Sequence, residues 1–211
     1  MITQNDIKID VASIEEINSI AMAVRKQVFV EELGIPENLD IDRNDGAAAH
    51  IIAYIQKGHH KFPVGTMRIR SFAGFSVFER MSVIRDFRKV NISEAIMQYG
   101  FNYVGQKGYC IVKAACKKEL LAHWQRCGFY VDENSRKVNH NGMKLIPIRR
   151  DLPPHPRALT MNSDPALLMA EEGHWYDDIQ NNPKSPNVQK PFKINNILIK
   201  IKEFKQKYFN C

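Results

Sequence analysis

The sequence predicts an α/β protein built on a mixed central sheet of about six or seven strands with flanking helices. Three observations predict it. Phe75 to Ile84 is an apolar, strand-like run, Ile92, Ala95, Ile96, Tyr99 and Tyr103 then recur at helical spacing, and Tyr109 to Ala114 is strand-like again. Strand, helix, strand in that order makes the two strands parallel neighbours. His50 to Ile55 and Val64 to Arg70 flank a turn from Gly58 to Pro63, the pattern of a tight antiparallel pair. Ile14, Ile17, Ile20, Ala21, Val24, Val28 and Phe29 give one apolar helix face.

Taken in order, Ile7 to Val11 alternates apolar and polar and reads as the first strand. Ser13 and Glu16 form a capping-box pattern at the start of the first helix. Gly34, Pro36 and Asn38 end it, and residues 35–45 make an acidic loop holding Glu37, Asp40, Asp42 and Asp45. The antiparallel pair and the strand–helix–strand unit follow. Residues 117–126 read as a second late helix closed by Gly128. Phe129 to Val131 is a short strand, Ser135 to Asn141 a turn region, and Met143 to Ile148 the last strand. The prolines at 153, 154 and 156 end the domain near residue 150. Residues 151–190 are expected to be an irregular polar extension, loosely packed, with a linker at 184–190. Residues 191–211 hold a basic amphipathic helix candidate, with Ile194, Ile197, Leu198, Ile201, Phe204 and Tyr208 in one stripe.

A length of 211 residues admits one domain with an appendage. No apolar run approaches the roughly 20 residues of a membrane span. Met1 to Asp10 is polar and alternating, which argues against a signal peptide. Four scattered cysteines suit reduced thiols and a cytoplasmic setting. His123 and Cys127 share an i, i+4 spacing but lack a second ligand pair, so no metal is expected. The net charge is +7, yet residues 184–211 carry seven lysines against one glutamate. The basic balance belongs to the tail, and no nucleic-acid partner is expected. The apolar stripe of the tail suits packing or a homodimer better than a membrane surface.

Residues 87–96 carry the chemistry. A turn feeding a helix start leaves backbone N–H groups unpaired, and Arg88 and Lys89 add positive charge there. That combination suits a phosphate-bearing ligand. With the motifs around it, residues 6–150 resemble the GNAT superfamily of N-acyltransferases. Arg25-Lys-Gln-Val-Phe-Val-Glu-Glu32-Leu-Gly-Ile-Pro36 resembles the first helix and loop of small bacterial ElaA-type members. Val83-Ile-Arg-Asp-Phe-Arg88 before a helix is similar to the family's pyrophosphate motif. Residues 118–129, ending His-Trp-Gln-Arg-Cys-Gly-Phe, are similar to its late helix. There is also some resemblance to acyl-homoserine lactone and N-acyl amino acid synthases, which share the Arg-x-x-Val-Phe helix and the acidic loop.

The resemblance implies a mixed sheet with a splayed parallel pair. It also implies acetyl-CoA or a longer acyl-CoA as co-substrate, and a small-molecule amine as acceptor. Met81, Ser82 and Val83 would pair with the pantetheine amides. Arg88, Lys89, Val90, Asn91, Ile92 and Ser93 would hold the pyrophosphate, with Lys117 and Trp124 from the late helix beside the donor. Arg25, Phe29 and Arg68 are assigned to the acceptor side, although Arg25 suits the loop carboxylates Asp40 or Asp42 better. Glu79 and Glu32 are competing bases, and His123 is a candidate acid for the departing thiolate.

Two departures stand out. The family's phosphate turn carries glycines where this chain has Lys89, Asn91 and Ser93, and Asn is the residue that tolerates positive φ best after glycine. Trp124 replaces the usual tyrosine, and an indole N–H donates a hydrogen bond but is no acid at neutral pH. Three readings remain open: transfer of a short acyl group by direct amine attack in a ternary complex; transfer of a long chain, with acyl carrier protein as donor; and a catalytically degenerate binding module. A slot closed near Phe75, Phe78 and Met81 would argue against long chains.

Overall fold

A computed structural model describes residues 6–140 and 142–177. The linker and the basic helix expected beyond residue 183 lie outside the described residues. Among the described residues, eight strands form one sheet: β1 (Ile7–Val11), β2 (Ala49–Lys57), β3 (His60–Phe72), β4 (Phe75–Val83), β5 (Ile111–Cys116), β6 (Tyr130–Val131), β7 (Val138–His140) and β8 (Met143–Asp151). Their spatial order is β1-β2-β3-β4-β5-β8-β6, with β7 paired to β8 off that path. Of these strands only β4 and β5 run parallel; the other pairings are antiparallel.

The β2–β3 hairpin turns earlier than its sequence suggests. Gly58, at φ +58, lets the chain reverse within two residues, so Lys61 to Pro63 lie inside β3. A register slip at Ala53/Tyr54 falls opposite Pro63, where a proline can sit without a ladder donor. The expected turn at 135–141 likewise contains β7, because β8 is longer than its apolar run and offers a pairing edge.

The first helix starts on the predicted box: Ser13 Oγ accepts from the Glu16 N–H, and Glu16 Oε2 accepts from the Ser13 N–H at 2.9 Å. Helical structure continues to Glu32, but Ile17–Ala21 and Lys26–Glu32 are π turns within it. Such widened turns gather at functional sites, and the second carries Phe29 into the cleft between β4 and β5.

The central helix, Ile92–Gln106, buries Ile92, Ile96, Met97, Gly100, Phe101 and Val104. It packs on the sheet face that presents Gly65 and Met67, while Thr66, Arg68 and Arg70 point to the first helix and its loop. The approach is close at Gly100: a Cβ there would lie 2.6 Å from Met67 Cε and 2.9 Å from Phe78 Cζ. Gly100→Val is therefore expected to destabilise by about 1–3 kcal/mol through overpacking, read as a lower urea midpoint. An unchanged midpoint would show that the helix can shift outward freely.

The described part of the extension packs more firmly than its polar composition predicts. Trp175 is buried and stacks on Tyr103 with ring centroids 5.6 Å apart. Leu159 N–H donates to the Gln106 carbonyl at 2.7 Å, and Tyr176 O–H donates to the Arg157 carbonyl. A few aromatic anchors thus hold an otherwise irregular strap against the central helix.

Candidate active site

The parallel pair creates the site. β4 and β5 are in register only at Ser76/Val112 and Val77/Lys113, after which they part. From Phe78 onward the inner edge of β4 has no strand partner on that side among the described residues. On its other edge β4 carries a bulge. Arg68 pairs with Glu79 and Thr66 with Ser82, so Arg80 and Met81 together oppose Met67. Arg80 sits at φ +53, a strained backbone for a non-glycine residue.

What holds that bulge is a buried ion network. Arg80 donates to the Asp40 and Leu39 carbonyls, both at 3.1 Å. Arg25, fully buried, donates to the Asp40 carboxylate at 3.1 Å and to Asp45 at 2.5 Å. Arg68, also buried, donates to Asp42 at 2.7 and 3.0 Å and to Asp45 at 2.6 Å. Burial raises the Asp45 carboxyl, but the bonds from Arg25 and Arg68 outweigh it and hold the group below its usual range. Arg68 was expected on the acceptor side, and Arg25 there or on the loop carboxylates Asp40 or Asp42. Both are sealed from solvent, with their guanidinium groups engaged by loop carboxylates, so their role is to anchor the 37–45 loop. Phe29 does line the cleft.

His50 lies beneath this network, its Nε2–H facing the Asp45 carbonyl at 3.2 Å. Burial pushes its pKa down to about 4, and it is neutral in the folded state. The unfolded chain binds the proton more tightly, near the ordinary value of about 6.5. Stability from this group is present above about pH 6.5 and is lost as pH falls toward 4. The urea midpoint should fall across that window, and His50→Phe should flatten the fall; an equal slope in both proteins would exclude His50 as its cause.

The parted strands open into a cleft of about 760 Å³, within the size range of small-ligand sites. Met81, Ser82 and Val83 form one wall, Ala115, Cys116 and Lys117 the other, and Arg88, Ser93, His123 and Trp124 also face it. The Ser82 hydroxyl is buried without a hydrogen-bond partner among the described residues. The Asn91 backbone is left-handed, at φ +51 and ψ +29, a conformation that glycine adopts most readily. Among the described residues no side chain caps the central helix that it opens. Strand edge, orphaned hydroxyl and uncapped helix start are features that an extended ligand with amides and a phosphate would satisfy. Lys89 is exposed beside them, Val90 is half-buried, and Ile92 points into the core.

Arg88 is fixed at the cleft by three bonds. Its Nε donates to the Val83 carbonyl at 2.9 Å, and its two Nη atoms donate to Glu32 at 2.7 and 2.8 Å. Arg85 lies 3.2 Å from the same carboxylate. The Arg88 bonds hold Glu32 below the usual carboxylate range, so it binds a proton poorly. Glu32 is thus placed to orient Arg88 rather than to take a proton. Glu79 pairs with Arg70 and lies 3.3 Å from Arg68 Nε, while still lining the cleft. His123 Nδ1 is 3.5 Å from Glu94 and 3.3 Å from Arg126. Trp124 is buried edge-on against Phe129, at 5.0 Å and 85°. Among the described residues no group of three or more His, Cys, Asp or Glu side chains is placed to hold a metal.

Phe78 lines the cleft where β4 and β5 begin to part. Phe78 is buried and stacks on Phe101 at 5.3 Å, with Phe129 at 6.5 Å. Sequence reasoning did not single out Leu33, Ile35, Leu39, Leu120, Met143 and Leu145, which supply much of the remaining cleft wall. Only Ile35 and Leu39, four apart in an acidic loop, carried a weak signal. A larger depression of about 1140 Å³ lies between β1, the first helix and residues 171–174. Two ion pairs cross it, Lys107–Glu172 and His174–Asp10, and Tyr103 O–H donates to Glu172. It has no parted strands, so the chemistry is placed in the smaller cleft.

No protein-family profile matches the chain. A Bacillus subtilis (strain 168) protein named, by inference, an acetyltransferase is 30% identical over 112 residues, which cover 52% of this chain and 74% of that protein. Among solved structures, an N-acetyltransferase from Lactobacillus plantarum, likewise assigned by inference, superposes with a TM-score of 0.63 at 21% identity. The match covers 71% of this chain and all of that one. Escherichia coli ElaA superposes with a TM-score of 0.56 at 21% identity, over 69% of this chain and 99% of its own.

Proposed function

The chain belongs to the GNAT superfamily of acetyltransferases, and from that premise we propose that it transfers a short acyl group from acetyl-CoA or a close homologue to a small amine. The parting of β4 and β5 carries this reading, because it exposes a length of strand edge to the slot. The pantetheine arm lies there as a surrogate strand, its amides paired with the backbone of Met81, Ser82 and Val83. Arg88 and the start of the central helix take the pyrophosphate, with Lys89 adding charge at the rim. Lys117 flanks the arm from the β5 side.

Attack by a neutral amine on the thioester builds negative charge on the carbonyl oxygen and positive charge on nitrogen. In this reading the backbone N–H groups at the Arg80–Met81 bulge meet the oxygen. Of the two candidate bases, Glu79, beside Arg68 and Arg70, is the one that takes the amine proton, directly or through a water. His123 supplies the proton for the departing thiolate, a task that Trp124 is unable to perform. Phe78, stacked on Phe101 where the strands begin to part, favours the short donor over the long-chain alternative.

A titration of the full chain with acetyl-, butyryl- and decanoyl-CoA, and with an acylated carrier protein, tests the reading. Saturable acetyl-CoA binding that weakens with chain length is expected. Preference for decanoyl-CoA or for the carrier protein would overturn the short-donor assignment, and absence of all binding would leave only a binding module for some other ligand.

A further inference from the structure

The acceptor half of the cleft has a chemical character of its own, and its role as the acceptor half rests on acyl-CoA occupying the slot between β4 and β5. Phe29, Leu33, Ile35 and Leu39 come from the end of the first helix and its loop, and Met143 and Leu145 from the start of β8. The Ile35 N–H donates to the Phe29 carbonyl at 2.8 Å, which ties the start of the loop to the helix end. Leu33 and Leu120, at 50% and 49% exposure, are large apolar side chains left open to solvent, and both line this cleft. Isolated exposed leucines are ordinary, but two on the rim of one apolar cleft form a patch.

The charges point the same way. Of the carboxylates lining the cleft, Asp40 is bound by Arg25 and Arg80, and Glu79 by Arg70 and Arg68. Glu119 is left at the exposed rim. Arg80, Arg88 and Lys117 line the same cleft. A substrate carrying a second positive charge would meet guanidinium and ammonium groups, with the inner carboxylates already neutralised.

We propose that the acceptor is a primary amine with an apolar alkyl or aryl body and no second cationic group. Leu33, Ile35, Leu39, Leu120 and Met143 set that specificity. Burying such a body removes the rim leucines from water, whereas a diamine or a hydroxylated amine gains nothing there.

The test is a panel of primary amines with the full chain and acetyl-CoA, followed by release of the CoA thiol. Phenethylamine and isoamylamine stand for the apolar class, with cadaverine and ethanolamine as contrasts. The kcat/KM for phenethylamine should exceed that for cadaverine by about tenfold or more. In Leu33→Ser combined with Leu120→Ser, both at exposed positions, that ratio should fall by about tenfold while the Kd for acetyl-CoA stays within about twofold. Equal or better use of cadaverine or ethanolamine overturns the proposal, as does a ratio unchanged in the double variant. No amine turnover by a chain that binds acetyl-CoA also overturns it. Calorimetry with acetyl-CoA alone separates the two failures: without donor binding the donor reading falls first, and with it this proposal.

Discussion

Arg25→Ala is expected to lower the unfolding free energy by about 3–5 kcal/mol, enough to unfold much of a marginal domain. The reason is less the lost attraction than what is left behind. Asp40 and Asp45 would remain buried as carboxylates without their principal partner. Arg25→Lys should restore little, because one ammonium cannot reach Asp45, the Asp40 carboxylate and the Asp40 carbonyl as the planar fork does. Denaturant unfolding of the two variants measures this. A loss below about 1 kcal/mol in Arg25→Ala would mean that the loop carboxylates are solvated in the folded protein. Since Arg80 is tied to the same loop, the surviving fraction should also bind acetyl-CoA less well.

Arg88→Ala is expected to weaken acetyl-CoA binding about 10- to 100-fold, the range of about 1.5–3 kcal/mol for hydrogen bonds to a charged group. Stability should change little, since Arg88 is 41% exposed. Glu32→Gln provides the contrast. It keeps a hydrogen-bonding side chain but removes the negative charge that faces Arg88, so donor affinity should rise and its salt dependence should steepen. Calorimetry at two ionic strengths reads both. An unchanged Kd in Arg88→Ala would remove the phosphate assignment, and a weakened Kd in Glu32→Gln would make Glu32 an essential orienting partner.

Much of the fold was legible. The capping box at Ser13 and Glu16, the strand–helix–strand order and the left-handed Asn91 could each be argued from residues, because each depends on local backbone chemistry. Element lengths were less legible. Pro63 looked like a turn residue, yet a register slip against Tyr54 lets it sit within a strand. Trp175 sat in a polar stretch and looked loosely held, but it found Tyr103 on a helix more than sixty positions earlier.

The site divides along the same line. The proposed phosphate turn at residues 87–96 is read from their own order, and Arg88 could be chosen from that alone. Its partner Glu32 could not, since the two meet only when the end of the first helix comes to the end of β4. Glu32 therefore stood as a candidate base and Arg68 as a ligand contact until their ion pairs were in view, whereas Arg25 meets Asp40, one of the two loop carboxylates expected for it. Sequence alone determined the class of fold, the family likeness and the turn at the central helix, because spacing and residue type encode local structure. Tertiary structure alone decided which charges are spent on one another, where β4 and β5 part, and that apolar groups wall one half of the cleft. Those depend on which distant residues meet, and nothing in their own sequence neighbourhoods records the encounter.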